Sequence, residues 1–255
     1  MSRDTTQRFS DRVANYVRYR PDYPSELIDA LRERAGLNAT STIADVGSGT
    51  GIFTALLLPH AAKVFAIEPN EPMRACAEST WGGDPRFHSV NAPAEATTLP
   101  DASVDLITAA QAFHWFDPTA ARREFARILK RGGHVALVWN ERLTDTTPFL
   151  RDYESLLKTA ATDYNQVNHM NIDRATLAAF YGLSSFETCT FANSQQFDRD
   201  GLIGRALSSS YVPNAGHPGH DAFIAGLNRI FDRHAVNGLV HFEYETKLYF
   251  GRLDN

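Results

Sequence analysis

Cysteine is scarce in this 255-residue chain: there are two, Cys76 and Cys189, far apart and outside any C-x-x-C spacing. That argues against a disulfide framework and a cysteine-based zinc site, and it suits a reducing compartment. Long apolar runs are missing too; none approaches the roughly 20 residues that a membrane-spanning helix needs. Basic charge is not in excess. Thirty acidic residues against 25 basic ones leave a formal net charge of −5, without the global basic signature of a nucleic-acid binder. The opening stretch MSRDTTQRFSDR is polar and charged, unlike a signal peptide or an anchor. These shortages together predict a soluble, cytoplasmic protein with neither a membrane nor a nucleic acid as partner. Repeats, low-complexity tracts and a clear interdomain linker are also lacking. At 43% hydrophobic and 22% charged, the chain has an ordinary globular composition and enough length for a large core.

What is present is alternation. Between about residues 41 and 140, short apolar runs read as strands at Thr42–Val46, Lys63–Glu68, Arg86–Asn91, Val104–Gln111 and His134–Asn140. Helix-like segments separate them. Asn70 can cap the helix that begins EPMRACAE, with Pro72 tolerated in its first turn. Asp117-Pro118 forms an N-cap and N1 pair for TAARREFARILK, and Gly132-Gly133 is expected to close that helix. Strand, helix and strand in succession imply right-handed crossovers and a parallel sheet covered on both faces, an α/β fold.

After Asn140 the pattern changes. Thr147-Pro148 opens a helix expected to run through Tyr164, and Arg174–Tyr181 reads as another, ended by Gly182. Two strands follow, Ser185–Phe197 and Leu239–Phe250. The second places Val240, Phe242, Tyr244, Thr246, Leu248 and Phe250 on one face and His241, Glu243, Glu245 and Lys247 on the other, the alternation of a half-exposed antiparallel strand. Residues 200–236 read as a helical insertion between these strands, around the loop VPNAGHPGH; a separate second domain is the alternative.

The informative stretch is Ile43-Ala44-Asp45-Val46-Gly47-Ser48-Gly49-Thr50-Gly51, at the end of the first strand. Glycines there permit positive φ and let a ligand lie against bare backbone. Glu68 ends the second strand, where a carboxylate can accept both hydroxyls of a ribose. The spacing D-x-G-x-G-x-G differs from the dinucleotide fingerprint G-x-G-x-x-G, and an aspartate before the glycines would repel a pyrophosphate. It tolerates a ligand that carries an amino group and a sulfonium.

These residues resemble the first motif and ribose-binding acid of class I S-adenosylmethionine (SAM)-dependent methyltransferases of the small-molecule, "type 11" kind. The match is to Asp45, Gly47, Gly49, Gly51 and Glu68. Asn91-Ala92-Pro93-Ala94-Glu95 resembles the family's adenine-binding segment, with a backbone N–H near Ala94 facing the base and Glu95 beside it; many relatives carry a polar residue where Pro93 stands. Asp105 through Phe116 resembles the fourth strand and the loop after it, which adds Gln111 to the cofactor side and His114 and Trp115 to the catalytic face. Two outer segments, Tyr16–Pro24 and Arg205–Pro213, resemble a subgroup of the family. The resemblance implies strand order 3-2-1-4-5-7-6 with the seventh strand antiparallel. It also implies one domain over 1–255: an N-terminal helical flap at 1–38, a SAM-binding core at 41–140, and a C-terminal half at 141–255 carrying the insertion.

The implied cofactor is SAM, leaving S-adenosylhomocysteine, with no metal, and the implied partner is a small-molecule acceptor. Methyl transfer from a sulfonium asks mainly for alignment and exclusion of water, which can supply on the order of 7–11 kcal/mol in well-oriented cases. A carboxylate acceptor needs no base, whereas a hydroxyl or amine benefits from one. His114 is the best-placed base, or else a residue that fixes the Trp115 loop. Phe113, Trp115 and Phe116 either wall the pocket or pack as core. Tyr16, Tyr19, Arg20 and Tyr23 form an aromatic and basic cluster, read as a flap with Arg20 pairing a carboxylate or as an amphipathic helix on the sheet. Arg205 and Tyr211 line the acceptor pocket or lie on a solvated face. Arg122-Arg123 and Lys130-Arg131 read as solvent charges, and His217 and His220 as a polar loop.

Three other functions compete. A nicotinamide-dependent oxidoreductase is opposed by the glycine spacing and by the lack of Tyr-x-x-x-Lys. A non-catalytic SAM-binding module is the main alternative. Nucleic-acid methylation is disfavoured by charge and by Gln111-Ala112-Phe113-His114 where an Asn/Asp-Pro-Pro-Tyr/Phe segment would stand.

Overall fold

The computed structural model describes residues 13–161, 164, 174–182 and 186–253. Seven strands form one sheet: β1 (Thr42–Val46), β2 (Lys63–Ile67), β3 (Phe87–Val90), β4 (Val104–Ala110), β5 (Leu129–Arg142), β6 (Glu187–Phe197) and β7 (Val240–Gly251). Their order is β3-β2-β1-β4-β5-β7-β6. The first five pair in parallel, and β7 runs antiparallel to both β5 and β6. This is the α/β, Rossmann-like arrangement expected, with the last strand reversed.

Neighbouring residues of the central strands point to opposite faces, and both faces are buried. Ile43, Leu106, Ala136 and Val138 face one layer, against Leu27, Leu31, Phe53 and Leu57 of α2 (Glu26–Ala35) and α3 (Ile52–Leu57). Ala44, Ile107, Val135 and Leu137 face the other, against Phe125, Ile128 and Phe180 of α5 (Pro118–Ile128) and α7 (Arg174–Tyr181). A strand covered on both sides gains from apolar residues at every position, so these runs are continuous rather than alternating. β7 differs. Its buried residues Val240, Phe242, Tyr244, Thr246, Leu248 and Phe250 are the alternate positions read from the sequence.

The insertion shares a third core with α6 (Pro148–Ala160) and β7. Phe149, Tyr153 and Leu157 of α6, Leu202 and Ala206 of α8 (Arg199–Leu207), and Phe223, Leu227 and Phe231 of α9 (His220–His234) close over Val240, Phe242 and Tyr244. The N-terminal α1 (Val13–Tyr19) docks on α8, so closely that a Cβ on Gly204 would lie 2.0 Å from the Tyr19 ring. Helix ends follow the expected caps: Asn70 accepts the Met73 N–H to start α4 (Glu71–Trp81), and Asp117 accepts the Ala120 N–H to start α5.

Two local expectations are corrected, and a third falls outside the described residues. Gly132-Gly133 does not end α5; the helix stops at Ile128 because Leu129 already pairs with Val104. The next pair is Leu106 with His134, so residues 130–133 form a bulge in which Gly132 takes φ +83°. α6 ends at Ala160, short of Tyr164, with residues 162–163 outside those described. β6 begins at Glu187, and the expected start at Ser185 lies outside the described residues.

Candidate active site

A cavity of about 360 Å³ opens at the carboxyl ends of β1, β2, β4 and β5, where an open α/β sheet offers its ligand crevice. One half is built by the turn after β1. Gly47, Gly49 and Gly51 adopt φ of +69°, +58° and +86° in alternation, conformations that other residues enter only under strain. At Gly49 a Cβ would meet nothing nearer than Met73 Sδ at 3.9 Å, so the backbone there is bare toward the cavity. At Gly47 it would strike Ala112 Cβ at 2.5 Å, so that glycine serves the close approach of the loop after β4.

Two acids stand beside this turn. Asp45 is buried and its carboxylate accepts the hydroxyls of Thr54 at 2.6 Å and Thr108 at 2.8 Å. Burial pushes its pKa up to about 6 against those two hydrogen bonds. Glu68 accepts the N–H of Gly49 at 2.9 Å on one oxygen and that of Asn70 at 2.8 Å on the other. Its carboxyl is also raised by burial. Each oxygen keeps a further lone pair for an incoming hydroxyl. Ser48 Oγ and Thr50 Oγ1 are buried in the same turn with no hydrogen-bond partner among the described residues. Orphaned hydroxyls are rare in a finished interior and mark where a polar ligand would sit.

Pro93, Ala94 and Glu95 form a second wall. One Glu95 oxygen accepts the N–H of Asp117 at 2.8 Å, which ties this segment to the start of α5. Gln111 follows β4 with φ +55°, an uncommon conformation for a side chain of its size, and donates from its amide to the Asn140 carbonyl at 3.0 Å. His114, Trp115 and Phe116 line the cavity from the short 3₁₀ turn at Phe113–Trp115 and the residue after it. Phe113 does not: it is 1% exposed and packs among Phe116, Trp139 and Phe180, so the reading of it as a pocket wall is corrected.

The other half belongs to the N-terminal segment and the insertion. Tyr16, Arg20 and Tyr23 reach the cavity from one side, and Arg205, Ser210 and Tyr211 from the other. Tyr19 does not join the wall; it packs instead against Phe197 and α8. Arg205 is 6% exposed, which removes the solvated-face alternative. Arg20 is half-buried, with its Nε sealed from solvent and without a hydrogen-bond acceptor among the described residues, and its Nη2 donates to the Ser208 carbonyl at 3.0 Å. Burial and then the Arg205 charge lower its pKa. Neither guanidinium forms an ion pair with a carboxylate among the described residues.

Sequence reasoning missed Asn140, Arg142 and Tyr164, all in the same wall. Asn140 and Arg142 stand at the carboxyl end of β5, and the rule that ligands lie beyond strand ends would have flagged them. Tyr164 carried no sequence signal. Arg142 donates to Glu154 at 2.5 Å and to the Tyr164 hydroxyl at 3.1 Å, so its charge is already compensated. Among the described residues no group of three or more His, Cys, Asp or Glu side chains could hold a metal, and no helix is long and apolar enough to cross a membrane.

A sheet of this order, with a glycine turn after β1 and an acid closing β2, defines the class I methyltransferase architecture. Comparison with known proteins agrees. Residues 44–137 match the family model described as a methyltransferase domain. An uncharacterized methyltransferase-like protein of Schizosaccharomyces pombe is 31% identical over 205 residues, 80% of this chain and 78% of that protein. An uncharacterized methyltransferase of Mycobacterium tuberculosis is 38% identical over 140 residues, so the match spans about half of each, 55% of this chain and 55% of the relative. A solved structure from Anaeromyxobacter dehalogenans, described as a candidate type II methyltransferase, shares the fold at a TM-score of 0.71 with 24% identity, over 93% of this chain and 100% of that one. The chain belongs to the class I, SAM-dependent methyltransferase family.

Proposed function

We propose that this protein transfers the methyl group of SAM to a small, carboxylate-bearing molecule, with residues 1–255 acting as one catalytic domain. The observation that carries the reading is the pair Arg20 and Arg205. Both line the same cavity as the glycine turn and Glu68, and neither has a carboxylate partner among the described residues. A buried, uncompensated cation is costly unless an anion arrives to pair with it.

The glycine turn, Asp45 and the orphaned hydroxyls of Ser48 and Thr50 would hold the amino-acid end of SAM. Glu68 would take its ribose, and Ala94, Glu95 and Gln111 would flank its base. When bound, the cofactor supplies an activated methyl and a good leaving group. The protein's part is then to orient the acceptor oxygen and keep water out, which can lower the barrier by on the order of 7–11 kcal/mol in well-oriented cases. Trp115 and Phe116 offer aromatic faces suited to a sulfonium. A carboxylate is already a nucleophile, so no proton has to be removed and His114 orients rather than deprotonates.

Calorimetry with SAM, S-adenosylhomocysteine and NAD tests the first step: the first two should bind in the micromolar range, and NAD should not. Transfer of labelled methyl to a pool of cell carboxylic acids, with release of the label by mild alkali, tests the second, because methyl esters hydrolyse where N- and C-methyl groups do not. Binding of NAD alone overturns the assignment. Cofactor binding with no transfer to any acid or other metabolite would move the protein to a SAM-binding module.

A further inference from the structure

We infer that Tyr244 and Gln195, which do not line the cavity, are positioning residues that aim Arg205 at the acceptor. The inference rests on the reading above that the acceptor is an anion. Arg205 Nε donates to the Tyr244 hydroxyl at 3.2 Å, and a guanidinium has no lone pair to offer in return. The Tyr244 proton therefore goes elsewhere, to Gln195 Oε1 at 3.0 Å. The Gln195 amide nitrogen lies 3.4 Å from the Tyr19 carbonyl, which only accepts, and this fixes which end of the amide faces Tyr244. The chain of donors thus has one direction at each link.

On its other edge Arg205 donates from Nη1 to Ser209 Oγ at 3.2 Å. Among the described residues two of its five N–H groups are committed and hold the guanidinium plane, leaving the rest for a ligand. The relay starts one residue before Arg20, whose own Nη2 is held by Ser208. Docking of the N-terminal segment and orientation of Arg205 are therefore linked. Arg142, the third guanidinium in the wall, is kept out of this role by Glu154.

Packing alone does not call for these polar atoms. The Tyr244 ring stacks near Phe242 at 6.2 Å, a contact that phenylalanine would keep, and Gln195 is a half-buried residue of the edge strand β6. What phenylalanine would lose is the acceptor for Arg205 Nε.

The test titrates the full-length protein, saturated with S-adenosylhomocysteine, with malonate, succinate, glutarate and adipate as probes. For the diacid that binds best, Tyr244→Phe should weaken affinity about tenfold, the loss expected for one hydrogen bond to a charged group. Gln195→Met should weaken it in the same direction. S-Adenosylhomocysteine affinity should be unchanged in both, a split that a merely structural role would not produce. Because Gln195 reaches Arg205 through Tyr244, the two losses should not add, and the double variant should bind the diacid little worse than Tyr244→Phe. Wild-type affinity in Tyr244→Phe overturns the inference, as does a full further loss in the double variant. If Tyr244→Phe does not fold, an unchanged diacid affinity in Gln195→Met overturns it instead. Failure of every diacid to bind wild type overturns the anionic-acceptor reading and this inference with it. Wild-type binding that survives Arg205→Gln overturns the arginine's role but leaves the anionic acceptor standing.

Discussion

Glu68, at the end of β2, accepts the backbone N–H of Gly49, in the middle of the turn after β1, at 2.9 Å. The acid and the turn, separated by 19 residues, are thus one unit: the carboxylate that faces the cavity also holds the glycine backbone in place. Glu68→Ala should remove the proposed sugar contact and loosen the turn together. Hydrogen bonds to a charged group contribute about 1.5–3 kcal/mol each, so S-adenosylhomocysteine affinity should fall by on the order of ten- to a hundredfold. Glu68→Gln, which keeps one acceptor oxygen, should fall less. Calorimetry on the three proteins checks this, and equal affinities would separate Glu68 from cofactor binding.

Asp45 makes a prediction about pH. Its native pKa of about 6 lies above its ordinary value of 3.8, so the native state holds the proton more tightly than the unfolded chain does. Its effect favours folding most below about pH 4 and is lost as the pH rises to about 6; the loss totals roughly 3 kcal/mol. Asp45→Asn keeps hydrogen-bonding atoms toward Thr54 and Thr108 without the buried charge. The variant should melt higher than wild type at pH 8, and its Tm should change less between pH 4 and 6. If Asp45 also serves a cationic ligand group, the more stable variant should bind SAM more weakly. A Tm profile that matches wild type across that range would refute the burial argument.

The sheet and the glycine-turn half of the cavity were legible because local rules determine them. Alternation of apolar runs with capped helices at Asn70 and Asp117 set the element order, and period-2 burial from Val240 to Phe250 marked the one strand with a different environment. Positive φ at Gly47, Gly49 and Gly51 was implied by residue type and spacing. The half walled by the N-terminal segment and the insertion was legible only as a collection of suspects. Arg20 and Arg205 lie 185 residues apart, and nothing local says that they converge or that neither has a carboxylate partner among the described residues. Arg142 has the same residue type and shares the wall, yet differs because Glu154 faces it from α6. Gly132-Gly133 misled for a related reason: a sheet pairing between Val104 and Leu129 overrode a sound local stop signal.

Glu154 lets charge and stability be separated. It is the only carboxylate paired with Arg142 among the described residues, and both side chains are about a tenth exposed. Glu154→Gln leaves a buried guanidinium without its counter-charge and should destabilise the fold by about 3 kcal/mol. The freed charge, however, faces the same cavity as Arg20 and Arg205. Succinate or glutarate should therefore bind the variant more tightly, while urea unfolds it earlier. Parallel losses in both measurements would show that Arg142 does not present its charge to the cavity.

Gly204 tests whether the N-terminal segment belongs to the site. A Cβ there would lie 2.0 Å from the Tyr19 ring, and the whole ring edge is in the way, so a rotamer change of a side-chain tip cannot relieve it. Alanine favours a helix interior over glycine by about 1 kcal/mol, so α8 itself should gain from the change. The loss must fall on the contact with α1. Gly204→Ala should therefore leave the far-ultraviolet spectrum of the protein intact but open the N-terminal segment to limited proteolysis before Pro21. It should also lower affinity for a diacid, because Arg20 is held against Ser208 only while α1 stays docked. Binding of S-adenosylhomocysteine, proposed above to rest on the turn after β1 and on Glu68, should change far less. Protease resistance equal to wild type would mean that α1 reseats around the added methyl and that close packing at Gly204 is not what orders this side of the cavity.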